Sequence, residues 1–468
     1  MADYISFPDD SGLSAWFVSL VYREPSMTEL AASSRSFSDE SPDQRRPLGA
    51  SDVRILALSA LGGALEFYDF VIFVFFAAVM GGLFFPAELP EWMRLVQTFG
   101  IFAAGYLARP LGGIVMAHFG DLLGRKRMFM LSILLMALPT LVIGLLPTYA
   151  TIGVAAPLLL LLMRLCQGAA IGGEAPGAWV FVTEHVPQRH TGLACASLTM
   201  GLVVGILIGS LVASALTHIY SDAELMAWAW RIPFLLGGVF GLVTLYLRRY
   251  LHETPVFAEM QKNKAASAAQ EMPVKQVLRE HRGSVILSML VTWILTGAVV
   301  VGLLMMPTLL QMSFDIARST SLAVNSMAIS LTALGCVAAG WLADRIGFGK
   351  ALVCFGLGFG ASFGVMGITL HHSVAWLYPA YAVAGFFGGI TGLVPGIMVR
   401  AFPPQVRFSG VSFSYNLAYA VFGGLTPLVI SLLVARWDYA PTLYIALLGL
   451  LACAIGVWLT FRESRQRR

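Results

Sequence analysis

Hydrophobic positions along this chain neither alternate nor recur on one helical face. They come in continuous runs, about a dozen of them, each close to 20 residues and divided by short polar breaks. A run of that length, wound at about 1.5 Å per residue, is long enough to cross a bilayer as a helix. The runs predict twelve spans, at roughly 54–80, 95–117, 128–147, 154–184, 191–216, 231–251, 284–312, 320–343, 350–370, 375–400, 408–434 and 440–461. The fold class this implies is an all-α membrane protein.

The polar segments divide the chain further. Residues 1–50 are rich in Ser, Asp and Arg. Their apolar patch at 16–22 is too short to span, so they read as a disordered cytoplasmic leader with no cleavable signal peptide. Met27 is an alternative start. The long polar connection 252–283 reads as a solvated cytoplasmic linker between two six-helix bundles, 51–251 and 284–462, and 463–468 forms a cytoplasmic tail.

Composition agrees with the pattern. The 468 residues are 57% hydrophobic and only 12% charged, with a mean hydropathy of +0.77. A soluble globular chain carries about twice that charge fraction. This excludes a soluble enzyme, a disulfide scaffold, a disordered protein and a nucleic-acid-binding domain. With the twelve spans in place, 24 of the 30 basic residues fall on one side of the membrane. The excess of Lys and Arg makes that side cytoplasmic, so both termini are inside. The five cysteines fall within spans and form no C-x-x-C, which suits small packing residues better than a disulfide or a metal site.

The two halves echo each other. Asp121-Leu-Leu-Gly124-Arg125-Lys126 follows the second span, and Asp344-Arg345-Ile-Gly347 follows the eighth, 223 positions later. Gly172-Gly173 pairs with Gly388-Gly389, and Pro187-Gln188 with Pro404-Gln405, at nearly the same period. Internal duplication is a common plan of secondary transporters. Both Asp-Gly turns lie at the cytoplasmic boundary, where an acid at one helix end and basic residues beyond a Gly suit latches between helices. Asp121, Gly124, Arg125, Lys126, Asp344, Arg345 and Gly347 are therefore the candidate gate.

The halves differ in buried charge. Glu66, Asp69, Arg109, Arg164 and Glu174 lie within spans of the first half, whereas the second half has no ionisable residue at mid-membrane. A charge at the bilayer centre costs a few kcal/mol on insertion scales, so five in one half require a function or a set of fixed partners. Glu66 and Asp69 are three apart and predicted to share a helical face, which with Glu174 makes them candidates for carrying protons. A fixed ion pair with Arg109 or Arg164 is the competing reading. Arg109 and Arg164 suit an anionic substrate, because a guanidinium binds a carboxylate bidentately. For Arg164 a structural tie to the first span is the alternative. Gln167, Tyr68, Tyr415 and Asn416 are the further candidates for lining the substrate path, and Gly201, Gly205 and Gly209 make a packing stripe.

Several of these segments together resemble a known family. The Asp121-x-x-Gly124-Arg125-Lys126 turn resembles the signature loop of the major facilitator superfamily. Leu65-Glu66-Phe67-Tyr68-Asp69-Phe70, Arg109-Pro110-Leu111-Gly112-Gly113, Arg164-x-x-Gln167-Gly168, Gly172-Gly173-Glu174, Trp230-Arg231-Ile232-Pro233-Phe234 and Glu253-Thr254-Pro255-x-Phe257 resemble its metabolite:proton symporter family. That family includes transporters of shikimate, oxoglutarate, citrate, and proline or betaine. The likeness departs at Ala117, where the loop has Gly, and at Leu122, where it has a basic residue.

The resemblance implies two pseudo-symmetric halves rocking about a central site, with no cofactor and a single chain as the working unit. The leading expectation is a proton-coupled symporter in a bacterial inner membrane that imports a small polar solute, a carboxylate by the charge pattern. A proline- or betaine-type osmolyte symporter is the alternative, with Phe67, Tyr68, Phe73 and Trp179 as an aromatic cage for a quaternary ammonium. A drug exporter ranks lower, because the fifth-helix Pro of antiporters is missing. A membrane hydrolase would need Gly360-Ala-Ser362-Phe-Gly364 to be a nucleophile elbow, but it lies inside an apolar span with no strand before it. Nothing resembles a channel filter, and no phosphate-binding loop for ATP is present.

Overall fold

The computed structural model describes residues 48–248 and 273–466, apart from Gly124, Gly173 and Gln405. Among the described residues there is no β-strand. The helices follow one another in twelve segments where the apolar runs place them. The first is α1 (Ala50–Phe75) with α2 (Ala77–Phe84), bent by 61° at Phe76. Next come α3 (Glu91–Leu123), α4 (Arg125–Leu145), α5 (Ala155–Ile171) continued by α6 (Glu174–His185), α7 (Thr191–Ile219) and α8 (Ile232–Arg248).

In the second half α9 (Arg282–Thr296) runs through a π-helical stretch, Gly297–Met305, into α10 (Met306–Phe314). Then follow α11 (Arg318–Ile346), α12 (Phe348–His372), and α13 (Leu377–Gly388) continued by α14 (Val394–Ala401). The last two segments are α15 (Arg407–Ala418), joined through π-helical Tyr419–Gly423 to α16 (Gly424–Val434), and α17 (Ala440–Gln466). Among the described residues eight segments are long and apolar enough to cross a membrane, and the bent α1–α2 pair makes a ninth.

Two of the expected boundaries need comment. The leader and residues 252–272 lie outside the described residues. Within the expected linker, Pro273–Glu280 is a short helix with Val277 fully buried, so that part of the linker packs rather than floating in solvent. Proline suits the first turn of such a helix, where its missing N–H is not needed.

Leu107, Leu111, Leu138, Leu158, Leu242, Leu357, Leu447 and Leu450 point outward. Lipid tails are as apolar as leucine, so the helices gain little by hiding these residues and associate through close contact of small ones. Gly201 and Gly205 of α7 show this: a methyl at either would run into Ala60 or Ala64 of α1. At Gly209, the third residue of the stripe, a methyl would lie 3.3 Å from the Phe75 ring, a tight contact with a side chain rather than a clash with backbone.

Two seams join the halves. Along one, α7 lies on α11, with Gly340 against Gly192 near the basic end and Ser210 Oγ 2.8 Å from Ser326 Oγ toward the other. Along the other, α3 lies on α15 and α16, with Gly424 facing Ala103 and Tyr106. The charged residues of the first half sit beside this second seam or inside the first-half bundle.

Candidate functional site

Arg109 is the centre of the site. It lies midway along α3, is 1% exposed, and reaches the seam with α15. Its Nε donates to Asn416 Oδ1 at 3.3 Å. Its Nη1 and Nη2 are buried and have no hydrogen-bond partner among the described residues. Three tyrosine rings surround the guanidinium, with its carbon 4.3 Å from the centroid of Tyr419, 5.2 Å from Tyr415 and 5.7 Å from Tyr106. Trp179 of α6 stands edge-on to Tyr415 at 5.0 Å.

The sequence places these rings by simple spacing. Tyr106 precedes Arg109 by three residues on α3, and Tyr419 follows Tyr415 by four, so each pair shares a helical face. Cation–π attraction holds the guanidinium flat among the rings, and the rings exclude water from it. A buried cation with unmet donors beside a cavity can take an anion, and its planar fork fits a carboxylate.

Beside Arg109 is a cavity of about 40 Å³, lined by Glu66 and Phe67 of α1, Arg109, Ile171 of α5, Trp179, and Leu198 of α7. That is room for a few waters, each of which needs about 10–15 Å³ of such space. Every lining residue belongs to the first half, and a solute of amino-acid size requires a wider opening than this.

A second polar group lies inside the first half. Arg164 of α5 is fully buried, and its Nη1 donates to the Phe70 carbonyl of α1 at 3.1 Å and to Gln167 Oε1 at 2.8 Å. Gln167 Nε2 passes the chain on to Thr140 Oγ1 of α4 at 2.7 Å, which donates to the Met136 carbonyl. Phe70, Phe73 and Phe102 sheathe the guanidinium at 4.4–5.1 Å. Its Nε and Nη2 are also buried without a hydrogen-bond partner among the described residues. Arg164 ties α5 to α1 and α4, and neither it nor Gln167 lines the cavity.

Asp69 belongs beside this second group. Its Oδ1 is buried without a hydrogen-bond partner among the described residues, and it faces α8. A methyl at Gly237 would lie 2.5 Å from that oxygen, and one at Gly241 would lie 3.4 Å from Oδ2. The shared face expected for Glu66 and Asp69 is therefore not found: Glu66 lines the Arg109 cavity, whereas Asp69 faces the α4–α8 packing. Three helical steps leave two residues about 60° apart, enough to enter different interhelical gaps. Tyr68 also turns to α8, donating from its hydroxyl to the Pro233 carbonyl at 2.9 Å with its ring edge-on to Phe240. Of the proposed aromatic cage, Phe67 and Trp179 line the cavity, while Tyr68 and Phe73 do not.

The second-half turn makes one contact across the halves. Asp344 Oδ1 and Oδ2 accept from the backbone N–H groups of Gly192 and Leu193 at 2.7 and 2.9 Å, at the first turn of α7. Arg345 lies over Trp341 of its own helix, and Gly347, with φ +93°, turns the chain into α12. The side chains of Asp121, Arg125, Lys126 and Glu174, and Gly124 as a whole, lie outside what the structure describes.

Sequence reasoning found Arg109, Glu66, Tyr415 and Asn416 but missed Tyr106 and Tyr419. Their spacing from Arg109 and Tyr415 was the available signal.

Comparison with known proteins places this architecture. The model of the Major Facilitator Superfamily matches residues 70–427. The inner membrane metabolite transport protein YhjE of Escherichia coli K12 is 34% identical over 433 residues, covering 88% of this chain and 95% of that protein. The ectoine/proline transporter ProP of Corynebacterium glutamicum is 31% identical over 439 residues, covering 87% and 84%. Among solved structures, the xylose transporter XylE from E. coli superposes with a TM-score of 0.69 at 15% identity, over 87% of this chain and 97% of that one.

Proposed function

Because this chain belongs to the major facilitator superfamily, whose members are multi-pass membrane transporters and not enzymes, we propose that it is a proton-coupled symporter for a small zwitterionic solute bearing a carboxylate. The observation that carries this is the Nη edge of Arg109, buried and without a partner among the described residues, beside a cavity that Glu66 also lines. A carboxylate on Arg109 and a cationic nitrogen near Glu66, Trp179 and Phe67 match the two ends of a betaine or an imino acid. The relative named an ectoine/proline transporter supports the same class.

In this reading Arg109 binds the substrate, and Asp69, Glu66 and Glu174 handle protons. Asp69 takes part from inside the first half, near the Gln167–Thr140 chain rather than at the substrate. Arg164 and Gln167 hold α1 in place. Asp344, with Asp121, Gly124, Arg125 and Lys126 at the repeated turn, closes the basic end, and Arg345 and Gly347 shape the second turn. We assign that end to the cytoplasm of a bacterial cell, with both termini inside and the single chain as the working unit. The halves 51–251 and 284–462 rock as two bundles.

The experiment is uptake into proteoliposomes under an inside-alkaline pH gradient, with and without a protonophore. Labelled proline, glycine betaine and ectoine form one pool, and mono-, di- and tricarboxylates with shikimate form the other. Protonophore-sensitive accumulation from the first pool is the expected result. Accumulation only from the second overturns the zwitterion, and accumulation insensitive to the protonophore overturns proton coupling.

A further inference from the structure

We propose that Asn416 is the clasp between the two halves at the site: its single amide holds Arg109 Nε and the Gly172 carbonyl of the first half at once, leaving only the Nη edge of Arg109 to a ligand. The inference rests on the reading of Arg109 as the anion site and adds to it a positioning residue from the other half.

The need for the clasp originates in the first half. Gly172 ends α5, and a carbonyl at that place would bond the N–H four residues on. That residue is Pro176, which has no N–H. The Gly172 oxygen thus lacks its i+4 helical donor and turns to a neighbouring helix. Asn416 Nδ2 donates to it from α15.

Both donors of the amide are committed. An asparagine side chain has two N–H donors and one carbonyl acceptor. Nδ2 donates to Gly172 O across the seam and to Ser412 O of its own helix at 2.9 Å, while Oδ1 accepts from Arg109 Nε at 3.3 Å. Two glycines give it access. A methyl at Gly172 would run into the Arg109 carbonyl and come within 3.0 Å of Gly113 N, and one at Gly113 would sit 3.6 Å from Asn416 Nδ2. At Gly113 and Gly172 the α3–α5 junction is therefore a backbone contact close enough for a side chain of the other half to reach.

Two consequences follow. A guanidinium offers a carboxylate either its Nη1–Nη2 edge or an edge that includes Nε. With Nε held by Asn416, the ligand takes the former. Parting of α15 from α3 and α5 breaks both bonds of the clasp together, so the clasp favours the closed arrangement and ties it to the position of the Arg109 fork.

The test reads opening directly. Leu198→Cys, in a protein without the five native cysteines, places a thiol on the cavity wall at a position only 2% exposed. Its labelling by a charged maleimide in ligand-free proteoliposomes reports how often the cavity beside Arg109 opens to solvent. Asn416→Ala raises that rate about tenfold or more, the effect of losing a buried hydrogen bond to a charged group. Pro176→Ala gives Gly172 O a helical donor, frees it from Asn416, and raises the rate severalfold without touching Asn416. Ser412→Ala leaves the rate within twofold. If Asn416→Ala labels at the wild-type rate, or if Pro176→Ala has no effect while Asn416→Ala does, the clasp is overturned.

Transport adds a second readout. With proline and glycine betaine as probes, Asn416→Ala lowers kcat while KM stays within about threefold, and Asn416→Asp raises KM at least about tenfold by placing its own carboxylate on Arg109. A rise of KM alone in Asn416→Ala, with unchanged labelling, makes Asn416 a ligand contact and overturns the proposal. If the wild type accumulates neither probe, the substrate reading fails while the labelling result still decides the clasp.

Discussion

Replacing Asp344 by asparagine takes the charge from the contact that closes the basic end. Asp344 accepts two α7 backbone N–H bonds, at 2.7 and 2.9 Å, across the seam between halves. A hydrogen bond to a charged acceptor contributes about 1.5–3 kcal/mol against about 0.5–1.5 for a neutral one; asparagine keeps one acceptor and turns its NH2 toward the other N–H, so one bond weakens and one is lost, about 3 kcal/mol together. The carboxylate also sits at the positive end of α7, which adds about 0.3–1 kcal/mol. Asp344 is only half-buried, and screening by solvent reduces the sum. We therefore take about 1.5–2 kcal/mol, which multiplies the population open at this end by about 10–30.

A native reporter lies beneath the contact. Cys195, on the first turns of α7, is fully buried and within electrostatic range of Asp344. In a protein retaining only this cysteine, maleimide labelling of Cys195 should quicken about 10–30-fold in Asp344→Asn, and further in Asp344→Ala. Arg345→Ala, which loses only the stack on Trp341 of its own helix, should label at the wild-type rate. Labelling of Asp344→Asn within twofold of wild type would refute the assignment of this contact as a gate.

Further expectations concern the site and its scaffold. Arg109→Lys should lower kcat/KM for uptake by roughly 10² or more, about 3 kcal/mol, because an ammonium reproduces neither the fork nor the stack on Tyr419. A value within fivefold of wild type would remove Arg109 from the substrate site. Asp69→Asn should abolish gradient-driven accumulation and spare counterflow exchange; full accumulation would take Asp69 out of proton handling. Gly168→Ala would drive a methyl into the Gly105 carbonyl of α3 and should cost about 3 kcal/mol or more, seen as loss of the folded peak in size-exclusion chromatography. Gly364→Ala meets open space and should raise the melting temperature slightly, since alanine is favoured over glycine in a helix by about 1 kcal/mol.

The site was legible in part. Arg109 and Glu66 were readable as charges stranded in apolar runs, and Asn416 as a polar side chain in an otherwise apolar span. Their assembly was not. The sequence pattern grouped Glu66 with Asp69 because they are three apart, yet one meets the cavity and the other meets Gly237. It offered Arg109 and Arg164 alike for an anion; both keep buried donors without a partner among the described residues, but only those of Arg109 lie beside the cavity. The role of Pro176 was invisible, since a missing N–H matters only once the group facing the orphaned carbonyl is known.

By itself the sequence determined the spans, their order, the duplicated halves and the family. Those follow from properties local in the chain: the length of apolar run that a bilayer demands, the side on which basic residues collect, and short motifs. The tertiary structure alone decided which buried groups meet. Arg109 and Asn416 are 307 residues apart, and their contact depends on which gap between helices each side chain enters. That choice turns on tens of degrees of helix rotation and on glycines that let two backbones close. No one-dimensional period carries that information, because the lipid constrains how long a helix must be and not which neighbour it touches.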